Sequence, residues 1–195
     1  MLMKLAMYSE KNQARDISQC CEENGSIFIP FEKNMFGILD QAPFKIAYGQ
    51  ESESDKRGIK NKKFVEIYNC LLKLKNRSIF SKKQRPFEGL ILDNEFFFKL
   101  IKFCNNRENV KINYLTYNSD IGSDTSLEDN DSILELEKEF ENDNSITIFR
   151  ISIQINDKEI LFNKLGYVDI AAPDINYFDD NKNVLLNIIK TGLEG

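Results

Sequence analysis

The chain has 195 residues, a formal net charge of −5 at pH 7, 42% hydrophobic residues and 29% charged residues. This balance is typical of a folded globular protein and excludes a predominantly disordered chain. The sequence contains no histidine, which excludes a Ser-His-Asp triad, a Cys-His dyad and imidazole metal ligands.

The amino-terminal half alternates between short apolar strands and amphipathic helices. Its first residues predict a strand over 2–8. Ser9 is a candidate cap for a helix over 10–23 that ends at Asn24-Gly25, because both of these residues tolerate a left-handed backbone. The other elements predicted before residue 93 are strands at 26–30, 35–39, 43–48 and 87–92, a polar loop at 49–59 and a helix over 60–75.

The next segment alternates helices with polar stretches. Asp93 is the candidate cap of a helix over 94–105. Ser132 and Glu135 match a capping box, which predicts a short helix to about residue 141. Between these helices the sequence predicts a strand at 109–116 and a mobile acidic loop at 117–131.

The clearest pattern is a two-residue alternation over 145–155. It predicts an antiparallel strand with one buried face, formed by Thr147, Phe149, Ile151, Ile153 and Ile155. Asn156-Asp157 suits a tight turn, because both residues tolerate positive φ. A returning strand at 158–162, a strand at 167–171, and a helix over 181–191 capped by Asp180 and stopped by Gly192 complete the prediction.

The predicted strands cluster in groups and do not alternate strictly with helices. This order favours an α+β fold over a doubly wound α/β fold. We therefore expect a compact mixed or antiparallel sheet with about five helices, ending in a β-hairpin and a final helix. We expect a single domain over 1–195, with a weak seam at the acidic loop 117–131.

Composition also suggests a source and a compartment. The chain has 23 Ile, 21 Asn and 20 Lys but only 6 Arg, a bias typical of an AT-rich bacterial genome or a mobile element within one. Cys20, Cys21, Cys70 and Cys104 form no metal-binding spacing and predict reduced, mostly buried thiols. No apolar run reaches the roughly 18 residues of a membrane span. We expect a cytoplasmic protein without membrane contact.

Charge is segregated along the chain. Residues 56–111 contain 15 Lys or Arg against 5 acidic residues, whereas 120–180 contain 4 basic residues against 16 acidic ones. The acidic stretch predicts a surface for a basic protein partner, with Asp124, Glu128, Asp129 and Asp131 as its binding residues. The alternatives are a nucleic-acid surface using Lys82, Lys83 and Arg85, or two solvated surfaces that only keep the protein soluble.

A carboxylate site is the remaining catalytic alternative. Pro173-Asp174 and Asp180-Asn181-Lys182 contain the letters of a metal-dependent nuclease motif, in which two carboxylates hold Mg²⁺ and a lysine polarises water. Asp169 in the preceding strand is a further candidate acid. Only five residues separate Asp174 from Asp180, and such a motif needs its acids on neighbouring strands. We therefore expect no metal at this site.

No nucleotide-binding glycine loop or nucleophile elbow occurs in the sequence. We expect a non-enzymatic interaction protein without a cofactor: an inhibitor, an immunity protein or an accessory subunit of a phage–host or interbacterial conflict system. The alternative is a nucleic-acid-binding protein or metal-dependent nuclease that uses the basic stretch and the carboxylates.

Overall fold

The structure is a computed structural model. It describes residues 2–10, 14–31, 34–40, 62–74, 87–118, 124–142, 146–171 and 175–194. These residues form nine strands and five helices. They group into two compact units, Leu2–Leu90 and Ile91–Gly195. The α+β class is confirmed, and the expectation of a single domain stays a prediction.

The first unit is built on a small antiparallel sheet. Its strand order is β2-β3-β1-β4, and all of these pairings are antiparallel. The central strand β1 has buried side chains on both faces, as Leu5, Ala6 and Met7 show. The elements of this unit are β1 (Leu2–Glu10), α1 (Ala14–Glu23), β2 (Ser26–Pro30), β3 (Met35–Asp40), α2 (Lys62–Leu74) and β4 (Phe87–Gly89).

The second unit is a five-stranded antiparallel sheet with helices. The strand order is β6-β5-β7-β8-β9. Its core includes Phe97, Ile101 and Phe162, each 0% exposed. Its elements are α3 (Asn94–Asn105), β5 (Val110–Asn118), β6 (Asp124–Leu127), α4 (Asn130–Asn142), β7 (Thr147–Ile155), β8 (Lys158–Asn163), β9 (Tyr167–Ala171) and α5 (Ile175–Leu193).

The predicted hairpin is confirmed. Strands β7 and β8 pair antiparallel, with Ile155 opposite Lys158. Asn156 and Asp157 form the turn at φ values of 46° and 63°. Two successive positive φ values match the right-handed twist of the flanking strands, which is why Asn and Asp are favoured there. Ile151 and Ile153 are buried, as predicted.

Phe149 is not buried as the alternation predicts. Thr116 of β5 lies opposite Arg150, but the next residue, Tyr117, lies opposite Ile148. Phe149 is therefore the extra residue of a β-bulge, and a bulge shifts the alternation of faces by one position. Ile148 is 0% exposed in consequence, while Phe149 is half-buried and its ring centroid lies 5.5 Å from Nζ of Lys164.

The last helix begins six residues earlier than predicted, at Ile175. Asp180 is therefore inside the helix and not its cap. The Tyr177 hydroxyl donates to the carbonyl oxygen of Ile155 at 2.7 Å, and the amide of Asn156 donates to Oδ1 of Asn181 at 2.5 Å. Both contacts hold the first turns of α5 against the hairpin.

Gly192 is not the stop residue of α5, because the helix continues to Leu193. A Cβ at position 192 would overlap the ring of Phe96 in α3. The glycine thus allows α3 and α5 to approach closely.

Other predicted elements differ less from those in the structure. Asp93 caps α3 as predicted, accepting from the N–H of Phe96 at 2.8 Å. The predicted acidic loop 117–131 contains the short strand β6, which pairs with the end of β5. The predicted strand 43–48 lies outside the described residues.

The prediction that all cysteines are reduced is wrong. Cys20 of α1 and Cys70 of α2 form a disulfide, with their Cα atoms 5.7 Å apart. Packing of α1 on α2 brings the two residues together across 50 positions of sequence, and sequence spacing alone gives no sign of this. Cys21 and Cys104 are buried free thiols, as predicted.

Candidate functional site

The acidic candidates surround the start of α4. Its first residue is Asn130, so Asp129 is the residue before the helix. Oδ1 of Asp129 accepts from the backbone N–H of Ser132 at 2.8 Å, and the N–H of Ile133 donates to the Asp129 carbonyl at 3.2 Å. Asp129 is therefore the N-cap. The predicted capping box at Ser132 and Glu135 is wrong, because the helix starts three residues earlier than expected.

The cap changes the acidity of Asp129. The hydrogen bonds from the backbone and side chain of Ser132 lower the pKa of this carboxyl below its ordinary value. A bond donated to the ionised form favours that form. Asp129 thus keeps its negative charge while it stabilises the helix start.

One side of α4 is acidic and exposed. Positions four residues apart lie on the same side of a helix. The exposed residues at this spacing are Asp131, Glu135 and Glu139, and they extend over about 12 Å of helix length. Glu128 and Asp129 are exposed just before the helix. We call the set of Glu128, Asp129, Asp131, Glu135 and Glu139 the acidic surface.

The opposite side of α4 packs against the unit. Ile133 and Leu136 are at most 2% exposed. The ring centroids of Phe140 and of Phe98 in α3 lie 5.1 Å apart. Oε1 of Glu137 lies 2.6 Å from Nζ of Lys102 in α3, which makes an ion pair. These contacts fix which acids face solvent, because a rotation of the helix would expose its apolar side.

One apolar side chain lies beside the acids. Leu134 is 38% exposed, although its neighbours Ile133 and Leu136 are buried. It follows Asp131 by three positions and precedes Lys138 by four, so it lies on the exposed side of the helix. The exposed side of α4 therefore combines negative charge with a small apolar contact.

The structure brings together three of the four predicted partner-binding residues. Glu128, Asp129 and Asp131 are exposed at the β6–α4 connection. Asp124 lies in β6, opposite Asn118 of β5. Sequence analysis missed Glu135 and Glu139 as members of this surface, although their four-residue spacing from Asp131 was a signal for it.

The alternative basic residues Lys82, Lys83 and Arg85 lie outside the described residues. Three other cations of the basic stretch are described and engaged locally. Lys99 pairs with Glu95 at 2.6 Å, and this contact lowers the pKa of Glu95 through a hydrogen bond and the lysine charge. Lys102 pairs with Glu137, and the Arg107 guanidinium lies 4.4 Å from the ring centroid of Phe103. Three cations of the described part of the stretch thus already have a local contact.

The candidate carboxylates are spread over two elements. Asp169 is half-buried in β9, opposite Leu161 of β8. Asp180 is exposed within α5. Nζ of Lys182 lies 3.6 Å from Oδ1 of Asp179, which is not one of the candidate acids. Asp174 lies outside the described residues. Within the described ranges, no group of three or more Cys, Asp or Glu side chains could hold a metal ion.

None of the helices described is long and apolar enough to cross a membrane. Comparison with protein-family models, with curated proteins and with solved structures gives no match to this chain. Among the candidate sites, the acidic surface is the one whose residues all lie in the described part of the chain.

Proposed function

We propose that this protein is a non-enzymatic cytoplasmic interaction protein that binds a basic protein partner through the acidic surface. Its role would be that of an inhibitor, immunity protein or accessory subunit in a phage–host or interbacterial conflict system. The observation that carries the proposal is the capped helix α4, which presents Asp131, Glu135 and Glu139 to solvent on one side.

The arrangement of charge supports a basic partner. Among the acids of α4, Glu137 is paired with Lys102 on the packed side, while the three acids above face solvent. Clustered charge of one sign raises the local concentration of an oppositely charged partner and accelerates association. The exposed Leu134 adds an apolar contact to this side, and partly apolar contacts give such an interface stability that charge alone does not.

The local pairing of Lys99, Lys102 and Arg107 favours the acidic surface over the basic stretch as the binding site. A cation already paired with a carboxylate gains less from a phosphate. Arg107 in addition lies against the Phe103 ring.

The test is charge reversal in the full-length protein. The first variant combines Glu128→Lys, Asp131→Lys, Glu135→Lys and Glu139→Lys, and it leaves the cap Asp129 intact. The matched control reverses four exposed acids elsewhere, Glu22, Glu108, Asp180 and Glu194, so both variants change the net charge equally. Each protein is immobilised, exposed to an extract of an AT-rich bacterial host, and its bound proteins are identified by mass spectrometry.

We expect one basic protein to be retained by the wild type and the control but lost by the first variant. Its association rate, measured with purified components, should fall steeply as salt is added. Equal retention by both variants would contradict the proposal. A third variant, Lys82→Glu, Lys83→Glu and Arg85→Glu, tests the alternative that the partner is a nucleic acid. If this variant alone loses nucleic-acid binding, the partner is a nucleic acid and not a basic protein.

A further inference from the structure

The disulfide between α1 and α2 joins a buried residue to a half-buried one. Cys20 is 0% exposed. Cys70 is half-buried and lines a surface cavity of about 360 Å³. The cavity lies beside the end of α1 and along α2, and its other lining residues are Glu23, Asn24, Glu66, Asn69, Lys73 and Leu74. The cavity therefore offers a small thiol an approach to the bond from the Cys70 side.

The bond lies beside the buried residues through which α1 and α2 pack. Ile67 and Leu71 of α2 are at most 1% exposed, as is Ile17 of α1. Cys70 precedes Leu71 directly, so the cross-link holds the buried side of α2 in place. Among the helices described, α1 is the one against which α2 packs most extensively.

The other two cysteines differ from this pair. Cys21 and Cys104 are buried and have no sulfur partner. Burial raises the pKa of each thiol to about 12, so neither forms much thiolate at neutral pH. Among the described cysteines, Cys20 and Cys70 are thus the two that are joined to each other.

We propose that the Cys20–Cys70 disulfide is a reversible redox clamp, which fixes α2 on α1 when oxidised and loosens α2 when reduced by a cellular thiol such as glutathione. The clamp lies in the Leu2–Leu90 unit and does not depend on the proposed function of the acidic surface. A reducing glutathione pool favours the dithiol and an oxidising one favours the disulfide, so the clamp would follow the redox state of its compartment.

The exchange has two balanced steps. A glutathione thiolate attacks Sγ of Cys70, the bond between glutathione and Cys70 forms, and Cys20 leaves as a thiolate that takes a proton from water. A second glutathione thiolate then attacks the glutathione sulfur of the mixed disulfide. Cys70 leaves as a thiolate and is protonated, and oxidised glutathione is released. The protein gains two electrons and two protons in total.

The test measures both the chemistry and the movement. Full-length protein is equilibrated with oxidised or reduced glutathione, alkylated without denaturant, and its mass is measured. Hydrogen exchange is then followed in α2, with α3 (Asn94–Asn105) as an internal control. The double variant Cys20→Ser/Cys70→Ser is treated in the same way, and the wild-type comparison stands even where this variant folds poorly.

We expect the oxidised wild type to take up no alkyl group. The reduced wild type should take up one group rapidly at Cys70, with Cys21 and Cys104 protected. Exchange in α2 should be at least several-fold faster after reduction, and exchange in α3 should not change. Alkylation of Cys70 after treatment with oxidised glutathione would overturn the proposal, because the disulfide would then not have formed. Equal α2 exchange in both redox states would overturn it too, because the bond would then not hold the helix.

Discussion

The carboxylate of Asp129 accepts a hydrogen bond from the backbone N–H of Ser132 at 2.8 Å. One residue therefore has two roles, since it begins α4 and contributes charge to the acidic surface. Reversing its charge would disturb the helix start together with the surface, and loss of binding would then have two explanations. The surface is better tested through Glu128, Asp131, Glu135 and Glu139, for which the structure gives no capping bond.

The first prediction concerns this cap. Asp129→Ala should lower the urea midpoint of unfolding at pH 7, because the N–H of Ser132 loses its acceptor. The folded pKa of Asp129 lies below the ordinary value of 3.8, so the stabilisation is present above pH 3.8 and is lost as the pH falls through the folded pKa. The difference between wild type and variant should therefore shrink below about pH 3.8.

Asp129→Asn is the matched control for the cap. Its side-chain oxygen can still accept the Ser132 bond, so it should unfold close to the wild type at pH 7. An Asp129→Ala protein with an unchanged midpoint would show that α4 does not need this cap.

The second prediction concerns the core of the hairpin. Ile153 is 0% exposed, and Ile153→Ala should reduce the free energy of unfolding by about 2–5 kcal/mol, through lost apolar burial and a residual cavity. Arg150→Ala, at an exposed position of the same strand, should change it by less than about 0.5 kcal/mol. Thermal and urea unfolding measure the change in the free energy of unfolding for each variant. Equal stability of the two variants would show that the buried face is misassigned.

The hairpin was predictable because its alternation and its turn residues agree. The bulge at Phe149 was not, since it depends on the pairing of β7 with β5, which no local pattern encodes. The start of α4 was misplaced because Ser132 and Glu135 satisfy a capping pattern as well as Asp129 does. The short strand β6 has no apolar alternation, since Leu127 is its one apolar residue, and local sequence therefore does not predict it. The disulfide was missed because it depends on how α1 packs on α2.

The third prediction concerns the approach of α3 to α5. Gly192→Val should destabilise the protein by about 1–3 kcal/mol, because a side chain there must displace the buried ring of Phe96. Replacing Phe96 by Leu in the same chain should recover part of the loss. Gly89 is the control, since a Cβ there meets no atom within 4 Å. Gly89→Val should therefore have the melting temperature of the wild type. A normal melting temperature for Gly192→Val would contradict the close approach.

The fourth prediction concerns the turn. Asp157 has a φ of 63°, a left-handed conformation that a β-branched residue adopts only with strain. Asp157→Val should therefore reduce the free energy of unfolding by about 1–2 kcal/mol. Lys158→Val is the neighbouring control, because position 158 begins β8 and accepts a β-branched side chain. If the two variants unfold at the same urea concentration, the turn does not have this geometry in solution.

The fifth prediction concerns the contribution of the disulfide to stability. A cross-link stabilises a protein mainly by restricting the unfolded chain, and its effect grows with the length of the closed loop. The Cys20–Cys70 separation of 50 residues corresponds to about 4 kcal/mol in this chain-entropy description. Unfolding by urea should therefore occur at a clearly lower concentration with a reductant than without it. The urea midpoint of the double variant Cys20→Ser/Cys70→Ser should be the same with and without the reductant. It should lie close to that of the reduced wild type. A wild type whose urea midpoint is the same with and without reductant would show that this bond does not form in solution or does not restrict the unfolded chain.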